Sequence, residues 1–187
     1  MDKPNNEMEF PARSANTTDR LFTWEEVRGF LDKETTRRSE YIARILEALR
    51  EKFGEEVMDI AGKAIYNIGY EKGLMRARMV KESQQENDLS SLARLISHTT
   101  AKLYLGNQVE VNNDSMIVTE DYCPHPKKWQ EMGLPLDKIV KYCLLFDQVD
   151  KGMIEGYTEK FEAELSGCWT PGKNGVCQMY VRNKRSE

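Results

Sequence analysis

Val109-Glu110-Val111-Asn112-Asn113-Asp114-Ser115-Met116-Ile117-Val118 is the stretch that decides the fold. Apolar positions flank a polar Asn-Asn-Asp-Ser turn, which is the pattern of a β-hairpin. Everything upstream repeats with a different period. The change from about 3.6 residues to 2 at this point divides the chain into a helical part and a part that contains strands.

Upstream of the hairpin the pattern is helical. Thr23 followed by Trp24, Glu25 and Glu26 reads as an N-cap with acidic residues in the first turn. The helix it opens is expected to be short, carrying Val27, Phe30 and Leu31. A second helix places Tyr41, Ile42, Ile45, Leu46 and Leu49 on one stripe and ends near Gly54. A third starts near Glu55-Glu56 and runs through Leu74 and Met75, with Gly62, Gly69 and Gly73 inside it. Each helical glycine costs up to about 1 kcal/mol relative to alanine. Close approach of another backbone or of a ligand would offset that cost; simple bending is the plainer alternative. A fourth helix opens at Asp88 with Ser90-Ser91, carries Leu89, Leu92, Leu95, Ile96, Leu103 and Leu105, and stops at Gly106-Asn107.

Downstream, Cys123-Pro124-His125-Pro126 breaks the chain, and a short amphipathic piece follows around Trp129 and Met132. Leu136 to Asp150 reads as a fifth helix. Tyr157 to Leu165 alternates, and pairs with Val176 to Val181 across a loop containing Pro171, Gly172 and Gly175. The expected class is α+β: N-terminal helices on one face of a small antiparallel sheet made of two hairpins separated by a helix. Residues 1–20 have no periodic apolar pattern and read as a mobile tail, leaving residues 21–187 as a single domain.

The 187 residues suit one domain of a size that folds without disulfides or metal. Charged residues make up 31% and the net charge is −4, which argues against nucleic acid as a partner. No run approaches a membrane span, and Met1-Asp2-Lys3-Pro4-Asn5 has no apolar core of the secretory kind. A cytoplasmic location and a small-molecule partner are expected, and a homodimer is compatible with this composition. In that compartment cysteines serve as thiols, metal ligands or nucleophiles rather than disulfides.

The chemistry-bearing residues are few. The sequence contains no P-loop, no G-x-S-x-G, no H-E-x-x-H and no dinucleotide-binding glycine pattern. Of the two histidines, His98 lies at the edge of an apolar stripe, where a locally bonded histidine is the ordinary reading. His125 sits between two prolines and two residues after Cys123, on a segment stiffened by fixed φ angles. Cys123, Cys143, Cys168 and Cys177 are spaced by 20, 25 and 9 residues, without the paired C-x-x-C units of structural zinc sites. Cys123, Cys143 and Cys177 can still converge in space, around a metal ion such as zinc, although Cys143 and Cys177 also fit as small core residues. Asp121, Asp147 and Asp150 are the acidic candidates. Cys143 and Asp147 are four apart and share a helix face, though exposure is the ordinary state of such carboxylates.

Thr119-Glu120-Asp121-Tyr122-Cys123-Pro124, Gly133-Leu134, Cys143 with Asp147, Phe161-Glu162, Leu165 and Cys177 occur in an order that resembles the bacterial L-2-amino-thiazoline-4-carboxylate hydrolase family. The helical stretch from Phe53-Gly54 through Ala64, Gly69 and Gly73 fits the same resemblance, which extends over about residues 40–182. It implies a fold related to 4-vinyl reductase domains and transport-particle subunits. It also implies hydrolysis of a cyclic amidine C=N bond, opening a thiazoline ring to a carbamoyl-cysteine. Where the family often carries adjacent cysteines near the last strand, this chain has Cys177 alone, with a longer loop through Cys168.

Two functional readings follow. In the first, Cys123 supplies a thiolate or binds a metal, and His125 or Asp147 moves protons. In the second, the chain is a small-molecule-binding or sensor module whose cysteines pack or bind metal. Because residues 1–20 present no apolar face, their deletion is expected to change stability by less than about 0.5 kcal/mol. Thermal denaturation of the truncated chain against the full chain checks it.

Overall fold

The computed structural model describes residues 22–97, 108–120, 122–166 and 177–184. Helix α1 spans Trp24–Phe53 and opens on a capping box. The Glu26 N–H donates to Thr23 Oγ1 at 3.2 Å, and the Thr23 N–H donates to the Glu26 carboxylate at 2.9 Å. The helix stops at Gly54, whose φ of 84° is open to glycine and whose N–H donates to the Arg50 carbonyl at 2.8 Å. The two helices expected over this region are therefore one. Thr35 and Ser39, which lie between the two apolar stripes, donate their hydroxyls back to the carbonyls of Leu31 and Thr35 at 2.8 Å and 2.7 Å, so the helix satisfies them without ending.

Helix α2 (Glu56–Glu82) returns along α1, and α3 (Leu89–Ser97) follows a short connection. Its start is fixed by Asp88, whose carboxylate accepts the Ser91 N–H at 2.7 Å. The continuation expected through Leu105 lies outside the described residues. Strands β1 (Gln108–Val111) and β2 (Ser115–Glu120) form the hairpin read from the sequence, with Val111 opposite Met116. Asn112 closes its turn by accepting the N–H groups of Asp114 and Ser115 at 2.9 Å and 2.8 Å.

Three helices then separate the two hairpins: α4 (Pro124–Glu131), α5 (Leu136–Phe146) and α6 (Gln148–Tyr157). The Cys-Pro-His-Pro segment is not a turn. It is the N-terminus of α4, where a proline has no intrahelical N–H to lose. The single helix expected from Leu136 to Asp150 breaks at Asp147, which caps α5 and opens α6. Tyr157 ends α6 inside the core, so β3 begins later than its alternation suggests, at Phe161. Strands β3 (Phe161–Ser166) and β4 (Cys177–Asn183) complete an antiparallel sheet of order β1-β2-β4-β3.

One face of the sheet is buried. Met116, Val118, Phe161, Met179 and Val181 pack against α3, α6 and the end of α2. A second cluster joins α1, α4 and α5 around Trp129, whose indole N–H donates to the Ser39 carbonyl at 3.0 Å.

The seam between α2 and α6 holds these layers together. Gly69 and Gly73 on α2 meet Gly152 and Gly156 on α6, backbone against backbone. A Cβ at Gly69 would overlap the Val149 carbonyl, and one at Gly152 the Tyr66 carbonyl. Of the helical glycines singled out in the sequence, Gly69 and Gly73 thus serve close backbone approach rather than bending, while Gly62 faces the side chain of Leu145. Gly69→Ala or Gly152→Ala should cost about 3 kcal/mol, because neither helix can withdraw without opening a core. Gly29→Ala, with nothing near the new methyl, should be neutral or stabilise by up to about 1 kcal/mol. Urea denaturation of the three variants tests the contrast.

Candidate functional site

The seam carries charge as well as glycine. Arg76 on α2 is half-buried, and its guanidinium lies against the Met153 sulfur of α6. Burial holds its pKa below the ordinary value, while nearby Asp150 works in the opposite direction. The Asp150 carboxyl, in the first turn of α6, makes no hydrogen bond and no ion pair among the described residues. Desolvation is the largest influence on it and pushes the pKa up to about 6, against the opposing pull of Arg76 and Lys72. The residue keeps some open surface. A desolvated carboxyl that titrates near neutrality is suited to giving and taking protons.

Cys123 faces the same region from the N-cap of α4. Burial, together with the negative charges of Glu120, Asp147 and Asp150, raises its thiol to about 12; a hydrogen bond from the His125 backbone N–H only partly offsets this. The Cys123 side chain is therefore a neutral thiol across the physiological range. Asp147 contributes to that field from the α5–α6 junction, where its backbone N–H donates to the Cys143 carbonyl at 2.8 Å.

The imidazole of His125 is turned toward α1 and α5. It stacks on Phe146 and Trp129, with ring centroids 5.2 Å and 5.8 Å away, and its Nδ1 lies 2.7 Å from Ser39 Oγ. Ser39 donates its one proton to the Thr35 carbonyl, so the bond must run from His125 Nδ1–H to Ser39 Oγ. Burial lowers the His125 pKa to about 4 and keeps the ring neutral. The ring therefore ties α4 to α1 rather than serving the Cys123 thiol.

The other thiols take different places. Cys143 is buried in the α1–α4–α5 cluster. Cys177 opens β4 directly opposite Glu120 of β2, which brings it near the strand end that leads to Cys123. Cys168, His98 and Asp121 lie outside the described residues. Among the described residues, no group of three or more His, Cys, Asp or Glu side chains is arranged to hold a metal ion. A groove of about 530 Å³ between α2 and α5, lined by Met58, Gly62, Tyr66 and Leu144, touches none of Cys123, His125, Asp147 or Asp150.

A family profile described as L-2-amino-thiazoline-4-carboxylic acid hydrolase matches residues 35–180. The chain belongs to that family. The match spans α2, α6, the Cys123 segment and most of the sheet, so the L-2-amino-thiazoline-4-carboxylic acid hydrolase signature and the seam are the same part of the molecule. Among solved structures, the chain is similar to trafficking protein particle complex subunit 3 from Naegleria fowleri, covalently bound to palmitic acid. The TM-score is 0.50 at 15% identity, covering 81% of this chain and 96% of that one. At that identity the likeness speaks for the fold alone. No curated protein matches. Among the described residues no helix is long and apolar enough to cross a membrane.

Sequence reasoning weighed Asp150 but not Arg76. The available signal was their position beside glycines on two helices that must touch, which becomes readable once Gly152 and Gly156 are paired with Gly69 and Gly73. A carboxyl whose pKa rises on folding from 3.8 to about 6 destabilises the folded state progressively as pH climbs through that window, and contributes nothing below it. Asp150→Asn should therefore be more stable than the parent above pH 6, by up to about 3 kcal/mol, and equal to it near pH 3.5. Urea denaturation from pH 3.5 to pH 8 measures the difference.

Proposed function

We propose that the protein is a hydrolase that opens a cyclic amidine of the thiazoline-carboxylate kind by adding water at the C=N carbon. The observation that carries this reading is family membership over residues 35–180, the span that builds the seam. Local chemistry supports an assignment of roles. The Asp150 carboxylate takes a proton from the attacking water and passes it to the ring nitrogen. A C–O bond forms and the C=N double bond becomes single. The tetrahedral carbon then collapses: its hydroxyl proton goes by way of Asp150 to the departing sulfur, the C–S bond breaks, and a carbamoyl-cysteine leaves.

Arg76, with no carboxylate bonded to it among the described residues, supplies the positive charge that a substrate carboxylate needs in a desolvated place. Cys123 acts here as a neutral thiol that donates a hydrogen bond, which replaces the thiolate nucleophile expected from its spacing to His125. His125 positions α4 against α1 through Ser39, and Asp147 fixes the junction from which Asp150 projects.

The test is release of free thiol from 2-amino-thiazoline-4-carboxylate by the purified chain. The rate should rise through about pH 6 and then level, since the base works deprotonated. Asp150→Asn should lower kcat by about 10²-fold or more while circular dichroism stays unchanged, and Cys123→Ser by about tenfold. Full activity in Asp150→Asn would remove the base assignment. No thiol release from the parent chain would remove the proposed reaction.

A further inference from the structure

The seam between α2 and α6 has two flanks, and its glycines fix which residues stand on each. The helices run parallel here: Gly69 is level with Val149 and Met153, and Gly73 with Met153, Gly156 and Tyr157. Tyr66 and Tyr70, three positions before those glycines, fall about 60° to one side of the contact line. Lys72 and Arg76, three positions after them, fall about 60° to the other. The contacts follow this division. Tyr66 donates its hydroxyl to the Glu155 carboxylate at 2.6 Å on the first flank, and the Arg76 guanidinium lies against the Met153 sulfur on the second. Helical side chains lean toward the N-terminus of their own helix. Arg76 accordingly reaches back about one turn to Met153, and Lys72 reaches back in the same way toward the first turn of α6, where Asp150 stands.

Lys72 and Arg76 are thus two cations on one flank, four positions apart, a spacing at which like charges repel and weaken a helix. Neither makes an ion pair among the described residues, and both draw the Asp150 carboxyl toward its charged form against burial. An ionised Asp150 offsets one of them. Arg76 and Asp150 alone would carry no net charge at the pH where the base works, so an incoming carboxylate would gain little there. Glu120 and Asp147, which bear on the neutral Cys123 thiol, add negative charge nearby and raise the need for a second cation. Lys72 restores the surplus. It is exposed, so it can meet an anion in water, whereas the half-buried guanidinium of Arg76 holds that anion once water has left. We infer that Lys72 is a specificity-determining residue of the seam, acting with Arg76 to take the free carboxylate of a small heterocyclic acid and to exclude the uncharged amide. The inference deepens the hydrolase reading and rests on it for the kind of ring that is bound.

Binding rather than turnover tests it. The probe is 2-aminothiazole-4-carboxylate, whose aromatic ring resists hydration, compared with its carboxamide by isothermal titration calorimetry on the full chain above the Asp150 midpoint. The carboxamide should bind the parent about tenfold more weakly than the acid, as loss of a charge-assisted contact implies. Lys72→Met should weaken binding of the acid about tenfold without altering that of the carboxamide, and Lys72→Arg should restore the acid. A lysine merely lying on the surface would not affect Asp150. Removing a cation beside that carboxyl should raise its midpoint, read by carboxyl-carbon NMR in Lys72→Met. Equal affinity for acid and carboxamide, acid binding unchanged in Lys72→Met, an unmoved Asp150 midpoint, or no binding of the acid would overturn the inference. Thiol release by a parent chain whose Lys72→Met variant binds the acid equally well would keep the hydrolase and remove Lys72. Acid binding that depends on Lys72, without thiol release, would keep Lys72 and remove the reaction.

Discussion

The contact between α2 and α6 across Gly69, Gly73, Gly152 and Gly156 is the constraint on which the rest of the structure depends. Helix axes usually stay about 8–10 Å apart because side chains keep them there. Here the side chains are missing where the helices cross, and each backbone sits in the space a methyl group would fill. Glycine in a helix interior lowers stability, so four of them at one crossing make sense only through what the approach brings together. That is the packing of α6 onto the sheet through Met153, Ile154 and Tyr157, and the desolvation of Arg76 and Asp150 beside it.

A desolvated carboxyl and guanidinium that stop short of an ion pair are a strained arrangement for stability and a useful one for chemistry. A close Arg–Asp pair would hold the carboxylate ionised far below neutral pH and fill the guanidinium's hydrogen bonds. Held apart, Asp150 titrates near 6, and in the proposed reaction the Arg76 donors not turned to Met153 serve an anionic group. Stability is given up at this position, which fits the catalytic role proposed for it. His125 shows the complementary case. Its pKa is lowered by burial too, but its ring is filled with structural partners, Ser39, Phe146 and Trp129. A perturbed pKa becomes a functional argument only when the group also lacks such partners.

The sequence made much of this legible. The hairpin at Val109–Val118, the antiparallel class and the span of α2 follow from periodicity alone, because alternation and helical spacing report directly on which faces are buried. The join of the first two helices did not, since Thr35 and Ser39 look like breakers until their hydroxyls are seen bonding back to the helix. The apolar stripe of α1 misled in another way. Of its members Ile42 and Leu46 are packed as expected, but Tyr41, Ile45 and Leu49 are exposed and Ser39 and Ala43 complete the packed face, because α4 comes close enough for Trp129 to reach the Ser39 carbonyl. Cys123 and His125 stood out by spacing, but spacing along a chain does not say which way a ring turns. Asp150 and Arg76 are 74 positions apart, and only the glycines at the crossing hint that they meet.

The most direct measurement is the titration of the Asp150 side chain itself. Carboxyl-carbon NMR on protein labelled at aspartate, with Asp150→Asn to assign the resonance, gives its pKa in the folded chain. A midpoint near 6 is expected, falling toward the ordinary aspartate range if Gly152→Ala forces α6 away from α2 and lets water in. A midpoint near 4 in the parent protein would contradict it, because the seam would then hold an ordinary solvated carboxylate.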